Sequence, residues 1–155
     1  MPVLTNRHAI IGPSPQELAR LMMELPADIQ KRIVASALRK AAAPIVARAQ
    51  WNAPVRSGTL MQSIRSSGVK RMGNAWGLEI TPKGGWYTGR TFYGGILEFG
   101  SSTRPALAFV RRAMEAGKDE ATQILNTEIR AGADRAIRRM QRNTRKAVES
   151  MAFGT

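Results

Sequence analysis

Two kinds of residue in this chain invite a chemical reading: a lone carboxylate set among apolar neighbours, and a large surplus of arginine and lysine. The carboxylate is Glu98, in the run Tyr93-Gly94-Gly95-Ile96-Leu97-Glu98-Phe99-Gly100. Between Leu97 and Phe99 it is costly to desolvate unless it is paired or hydrogen-bonded. In a strand, alternation can simply point it to solvent. The alternative is an arginine partner from a neighbouring segment or subunit. Glycines before the run and Gly100-Ser101-Ser102 after it are strand-and-turn punctuation. Pro105 suits the first turn of a new helix. The stretch therefore reads as an entry turn, a buried element, a tight exit and a helix start.

Little else has the makings of catalysis. The chain has no cysteine, which excludes disulfides, thiol catalysis and thiolate metal sites. Its one histidine, His8, lies in an N-terminal stretch flanked by proline and glycine and reads as surface decoration. Histidine-based triads and zinc sites are thereby set aside. There is no Walker loop, dinucleotide fingerprint or nucleophile elbow. Gly84-Gly85 lacks the Lys-Ser/Thr that a phosphate loop requires, and Asp119-Glu120 beside Lys118 read as a solvated helix face. The expectation is a protein without enzymatic activity, metal or cofactor.

The positive charge is the strongest global signal. A net charge of +13 and a pI near 11.5 imply proximity to polyanions, nucleic acid first, or to acidic partner subunits. The charge is clustered. Residues 29–78 contain no acid but hold Lys31, Arg32, Arg39, Lys40, Arg48, Arg56, Arg65, Lys70 and Arg71. A second cluster, Arg130, Arg135, Arg138, Arg139, Arg142, Arg145 and Lys146, contains only Asp134 as an acid. Most of these residues read as a solvated face. Arg65, Lys70, Arg71, Arg135, Arg138, Arg139 and Arg142 are the candidates for contact with phosphates or an acidic partner. No sequence-specific DNA-binding signature is present, so any DNA contact is salt-sensitive and unspecific.

With 155 residues, 43% of them hydrophobic, the chain is long enough for one domain with a real core. Residues 1–13 read as an extended N-terminal arm. Ser14-Pro15-Gln16-Glu17 looks like a capping box opening a short helix with Leu18, Leu21, Met22 and Leu25 at helical spacing. Asp28 is a plausible cap for a longer helix to about Trp51, with Ile29, Ile33, Ala37, Ala41 and Ile45 on one face. Pro44 should kink that helix without ending it. Pro54 and Ser57-Gly58 make a turn. Residues 59–69 open as a helical turn and run into a strand, residues 71–74 read as a hairpin turn, and residues 75–81 as the returning strand.

Residues 82–91 form a Gly-rich loop. Its Trp86 and Tyr87 anchor it to the core or dock a partner, since such aromatics dominate interface hot spots. From Ala106 the chain reads as helix, with Leu125, Ile129, Ala133, Ala136, Met140, Ala147 and Met151 in steps of three and four. Unbroken over residues 106–148 it would span roughly 65 Å at about 1.5 Å per residue. It must therefore break at Gly117 or Gly132 and fold back, or project. A projecting stripe needs a cover, and a neighbouring copy supplies one. The expected fold class is α+β: a long N-terminal helix and a C-terminal helix packed on a small antiparallel β-sheet. Residues 14–128 are read as one domain and 129–155 as a basic helical extension, so that deletion after Gly132 is expected to spare the core. No segment reaches the roughly 18 to 20 apolar residues of a membrane span, and the reading is a soluble intracellular protein with no membrane contact.

Three segments together resemble a known family. They are Leu25-Pro26 continuing through Ala37-Leu38-Arg39-Lys40-Ala41-Ala42-Ala43-Pro44-Ile45; Ala53-Pro54-Val55-Arg56-Ser57-Gly58-Thr59-Leu60 with Ser63-Ile64; and Tyr93 through Leu97-Glu98-Phe99-Gly100, followed by Arg104-Pro105-Ala106 and Phe109-Val110-Arg111-Arg112-Ala113. In this order and spacing they are similar to the gene-product-ten-type tail-component family of HK-type lambdoid long-tailed phages, over about residues 25–128. In the family a proline is common before the final aromatic, where this chain has Ala108. The resemblance implies a structural virion protein, a tail-completion or neck protein made in the host cytoplasm. It would form a ring, usually sixfold, between head connector and tail tube or at the tail end. Its partners would be further copies, the adjacent connector and tail-tube proteins, and genomic DNA only by non-specific proximity. Arg56 or Arg104 would then meet Glu98 within a subunit or across the ring, and Trp86, Tyr87, Phe99 and Met140 are the other interface candidates. The competing expectation is a stand-alone basic nucleic-acid-binding protein.

Overall fold

The computed structural model describes residues 15–55, 58–73 and 75–153. The arm expected over residues 1–13, the cap residue Ser14 and Arg56 lie outside the described residues.

Helix α1 (Pro15–Glu24) is short, and Pro26 separates it from α2 (Ala27–Asn52). Pro26 stands at the N-cap of α2, its carbonyl accepting from Ile29 and Gln30 at 3.0 Å. Asp28 therefore lies inside the first turn and is not the cap, a position where its charge still favours the helix dipole. The helix continues through Pro44 as the resumed periodicity requires. It buries Ile33, Ala37, Ala41, Ala42, Ile45 and Ala49.

A one-turn helix α3 (Thr59–Ser63) leads directly into β1 (Ile64–Ser66), with β2 (Lys70–Met72), β3 (Ala75–Gly77) and β4 (Ile80–Pro82) following. The antiparallel sheet is one long hairpin interrupted halfway. β2 pairs with β3 in the register Met72↔Ala75, and β1 pairs with β4 in the register Arg65↔Thr81. At the interruption Ser67 N–H donates to the Glu79 carbonyl (2.7 Å) and Glu79 N–H donates to Ser67 Oγ (2.9 Å). The returning strand expected over residues 75–81 is thus two strands.

The apolar run expected as a strand-like element is a helix, α4 (Tyr93–Phe99). Gly94 and Gly95 misled the reading, because here they are close-approach positions. A Cβ on Gly95 would lie 2.5 Å from the Tyr87 ring. The exit is a tight turn in which Ser101 and Arg104 exchange backbone hydrogen bonds, and Gly100 has φ 82°. The last helix, α5 (Phe109–Phe153), begins four residues after Pro105 and runs unbroken to the end of the described chain. Leu107 N–H is held by the Leu97 carbonyl at 2.7 Å, so the chain remains extended along α4 before it turns into α5.

Helices α2 and α5 form the backbone of the molecule and run antiparallel. Ile33 faces Gly132, Lys40 pairs with Glu128, Ile45 faces Gly117 and Arg48 pairs with Glu120. Gly117 and Gly132 do not break α5. They allow it to lie close against α2: a Cβ on Gly132 would sit 2.6 Å from Ile33 Cγ2, and one on Gly117 would sit 3.0 Å from Ile45 Cγ1. Two apolar clusters hold the pair. One joins Ile45, Ala49, Leu60, Ile64, Leu97, Phe109 and Ala113, with Trp86 and Ile80 against it. The other joins Leu18 and Leu25 of α1 to Ile33 and Ala133. Ala136 and Ile137 pack on this second cluster, so apolar packing continues past residue 128.

Candidate assembly site

Glu98 is buried, and neither of the expected alternatives describes it. It does not face solvent, and among the described residues no arginine pairs with it. Its carboxylate reaches the head of α5, accepting hydrogen bonds from Val110 N–H (2.9 Å) and Arg111 N–H (3.1 Å). The first N–H groups of a helix have no partner within it, and an N-cap side chain normally accepts from the second or third helical residue. Here the residue before the helix is Ala108, which has no acceptor. Glu98, ten residues before Ala108, does that work from another helix, with the dipole of α5 favouring its charge. Ala108 itself has φ 49°, the left-handed region that disfavours a Cβ and that proline cannot adopt.

Around this anchor Trp86 packs edge-on to Phe99 (5.3 Å) and Phe109 (6.1 Å), so the Gly-rich loop is held to its own core. Its neighbour Tyr87 is exposed, edge-on to Phe92 at 6.0 Å. Phe99 is 59% exposed at the end of α4. Arg104 is exposed in the 101–104 turn, and Met140 lies far along α5. The interface candidates therefore do not form one patch. Trp86, Glu98 and Phe99 come together at the head of α5, Tyr87 lies against Phe92 and Gly95, and Met140 belongs to the far half of α5.

The basic candidates divide in the same way. Lys70 pairs with Glu79 at 3.0 Å, and both Arg71 (6.0 Å) and Lys31 (5.6 Å) lie over the Trp76 ring. Arg65 is exposed on β1. Arg135, Arg138, Arg139 and Arg142 are exposed along α5. Of the cations in the acid-free window, Lys40, Arg48 and Lys70 meet acids that lie outside it, Glu128, Glu120 and Glu79. Such exposed pairs add little stability, but they lower the free positive charge on this face.

A feature not singled out in the sequence lies beside Glu98. A mainly apolar trough of about 1050 Å³ runs between α2, α5 and the β3–β4 corner, lined among others by Leu38, Ile45, Ile80, Trp86, Met114 and Leu125. The sequence signal for it was the spacing Met114-Lys118-Thr122-Leu125, which continues the stripe backwards from Ile129. Beyond Ile137 the opposite situation holds. Every described residue of 138–153 is exposed, including Met151 at 81% and Phe153 at 86%.

Among the described residues, then, the buried carboxylate serves the backbone and the uncommitted surfaces are apolar or cationic. The family follows from comparison: the model of the family described as "Bacteriophage HK97-gp10, putative tail-component" matches residues 16–100. That is more than half of the chain, and the chain belongs to this family of phage tail components. The match ends at Gly100, so it includes Glu98 but not the helix that Glu98 caps. No curated protein and no solved structure matches. Among the described residues no helix is long and apolar enough to cross a membrane.

Proposed function

We propose that this chain is a non-enzymatic virion protein that assembles into a homo-oligomeric ring, sixfold in the usual arrangement, at the head–tail junction or the tail end. It meets the adjacent connector and tail-tube proteins there, after assembly in the host cytoplasm. Family membership supports the tail role. The observation that supports the assembly reading is the amphipathic end of α5, whose apolar side chains Val148, Met151 and Phe153 are largely exposed. Genomic DNA passes nearby in this reading, and the exposed arginines contact it only through phosphates.

The test is the mass of the purified protein by light scattering at moderate and high salt. A ring-sized species that persists at high salt is the expected result, because an apolar interface is insensitive to screening. A monomer at both salts that binds DNA tightly, with affinity falling steeply as salt rises, would replace this reading with that of a stand-alone nucleic-acid-binding protein.

A further inference from the structure

We infer that the trough beside Glu98 receives residues 138–153 of α5 from a neighbouring copy. The inference rests on the reading of this chain as a self-assembling protein, and it names the two surfaces that meet. It starts from one continuous stripe. On α5, Met114, Lys118, Thr122, Leu125, Ile129, Ala133, Ala136, Met140, Thr144, Ala147 and Met151 follow one another in steps of three and four, which keeps them on one side of the helix.

That stripe is divided into three parts. The middle part is covered by a helix of this chain, α1, whose Leu18 and Leu25 pack with Ile129, Ala133, Ala136 and Ile137. The first part, Met114 to Leu125, lines the open trough with Leu38 and Ile45 of α2 opposite. It is the same seam between α2 and α5 that seats α1, left unoccupied by any described residue. The last part, Met140 to Met151, is exposed. The seam therefore accepts an amphipathic helix, and the chain carries one uncovered amphipathic helix end. The two parts have equal length, each about 16 Å at about 1.5 Å per residue.

A copy cannot fill its own trough with this end, because both belong to one continuous helix and point away from each other. Met114 and Met151 are about 55 Å apart along it. The contact therefore joins two copies; passed from copy to copy and not returned by the same partner, it is heterologous and closes into a ring when its rotation permits. The charged residues lining the trough nearly balance, Glu79, Glu98 and Glu115 against Arg111 and Lys118, and Glu98 is already engaged by the head of α5. Apolar contact governs the fit, while the arginines of 138–146 remain at the rim or in solvent.

The absence of native cysteine allows a direct test. Met114→Cys and Met151→Cys, both at exposed positions, are made in separate full-length proteins, mixed, and treated with a short bifunctional maleimide. The expected result is a crosslink between positions 114 and 151 of different copies. It should be lost when Leu125→Arg is added to the Met114→Cys protein while its circular dichroism melt stays cooperative. Crosslinks confined to 151–151 or 114–114, or no crosslink at concentrations up to the solubility limit, overturn the inference. A Met114→Cys thiol that becomes reactive only when residues 1–14 are removed also overturns it, because the trough is then filled by the chain's own beginning. Light scattering on the same samples separates this proposal from the ring: rings without the 114–151 crosslink refute the docking alone, whereas 114–151 crosslinks in open chains of no fixed size refute the ring alone.

Discussion

Along α5, the stretch up to Ile137 rests on α2 and α1, while beyond it Met140 to Arg145 only border a groove beside Leu21 and Leu25 of α1 and every residue of 138–153 is exposed. Both carry the same three-and-four spacing. In the first, Ala113, Gly117, Gly132 and Ala133 are fully or nearly buried, and the small side chains set how closely the helices lie. In the second, Met140, Val148, Met151 and Phe153 are exposed. Periodicity thus reports that a helix has an apolar side. What covers that side depends on residues with no recognisable spacing of their own, here two glycines opposite Ile33 and Ile45.

The comparison can be broken most severely by cutting the chain. Truncation after Ile137 removes only exposed residues and should leave a cooperative thermal melt with a midpoint near that of the full chain. Truncation after Gly132 also removes Ala133, Ala136 and Ile137 from beneath α1. It should cost roughly 4 kcal/mol or more, the scale of a lost core side chain, measured by denaturant unfolding. Equal melts for the two truncations would show that the second cluster contributes nothing.

Next in size is Glu98. Glu98→Ala leaves the buried Val110 amide and the part-buried Arg111 amide without their acceptor and loses two charge-assisted hydrogen bonds, for an expected cost of roughly 2 to 4 kcal/mol. Glu98→Gln keeps one carbonyl acceptor and should cost about half as much. A change below about 0.5 kcal/mol, typical of a surface site, would mean that the head of α5 does not depend on this carboxylate.

Gly132→Ala gains helix propensity of about 1 kcal/mol, but its Cβ collides with the branched side chain of Ile33. A net loss of about 1 kcal/mol is expected from overpacking. In an Ile33→Ala background the same substitution should be neutral or stabilising, and a double-mutant cycle measures the coupling. Additive effects would place the glycine away from that contact. The smallest effect is expected at Ala108, where glycine relieves the left-handed backbone and should raise stability by about 0.5 kcal/mol. Destabilisation there would mean that the residue does not keep φ 49° in solution.

Much of the fold was legible in local chemistry. The long α2 with Pro44 inside it, the helical turn running into β1, the turn near Gly73 and the stripe on the last helix all follow from periodicity and turn residues. Gly94 and Gly95 read as turn signals, and Gly117 and Gly132 as the points where a helix that folded back would break, whereas each lies within a helix at a point of close approach. Conformational freedom can be read from a glycine's neighbours in sequence, but close packing is decided by a residue far away.

Glu98 stands out in the sequence because a carboxylate between Leu97 and Phe99 is costly to desolvate, yet both a solvent-facing and an arginine-paired side chain were open readings and the structure has neither. Its partner was not legible, since backbone amides twelve and thirteen residues on carry no side-chain signature. The trough escaped notice because its first stripe residues include Lys118 and Thr122, whose polar ends disguise the apolar seam.

Amide hydrogen exchange along α5, read in the isolated copy and in the assembled protein, tests most directly whether the far half of this helix is an assembly element. In the isolated copy, slow exchange is expected from the first turn, where Glu98 holds Val110 and Arg111, to Ile137, with much faster exchange over 138–153. On assembly the fast region should become protected, together with the amides that line the trough. Uniform protection of the whole helix in the isolated copy, or a far half that stays fast in the assembly, would contradict the account.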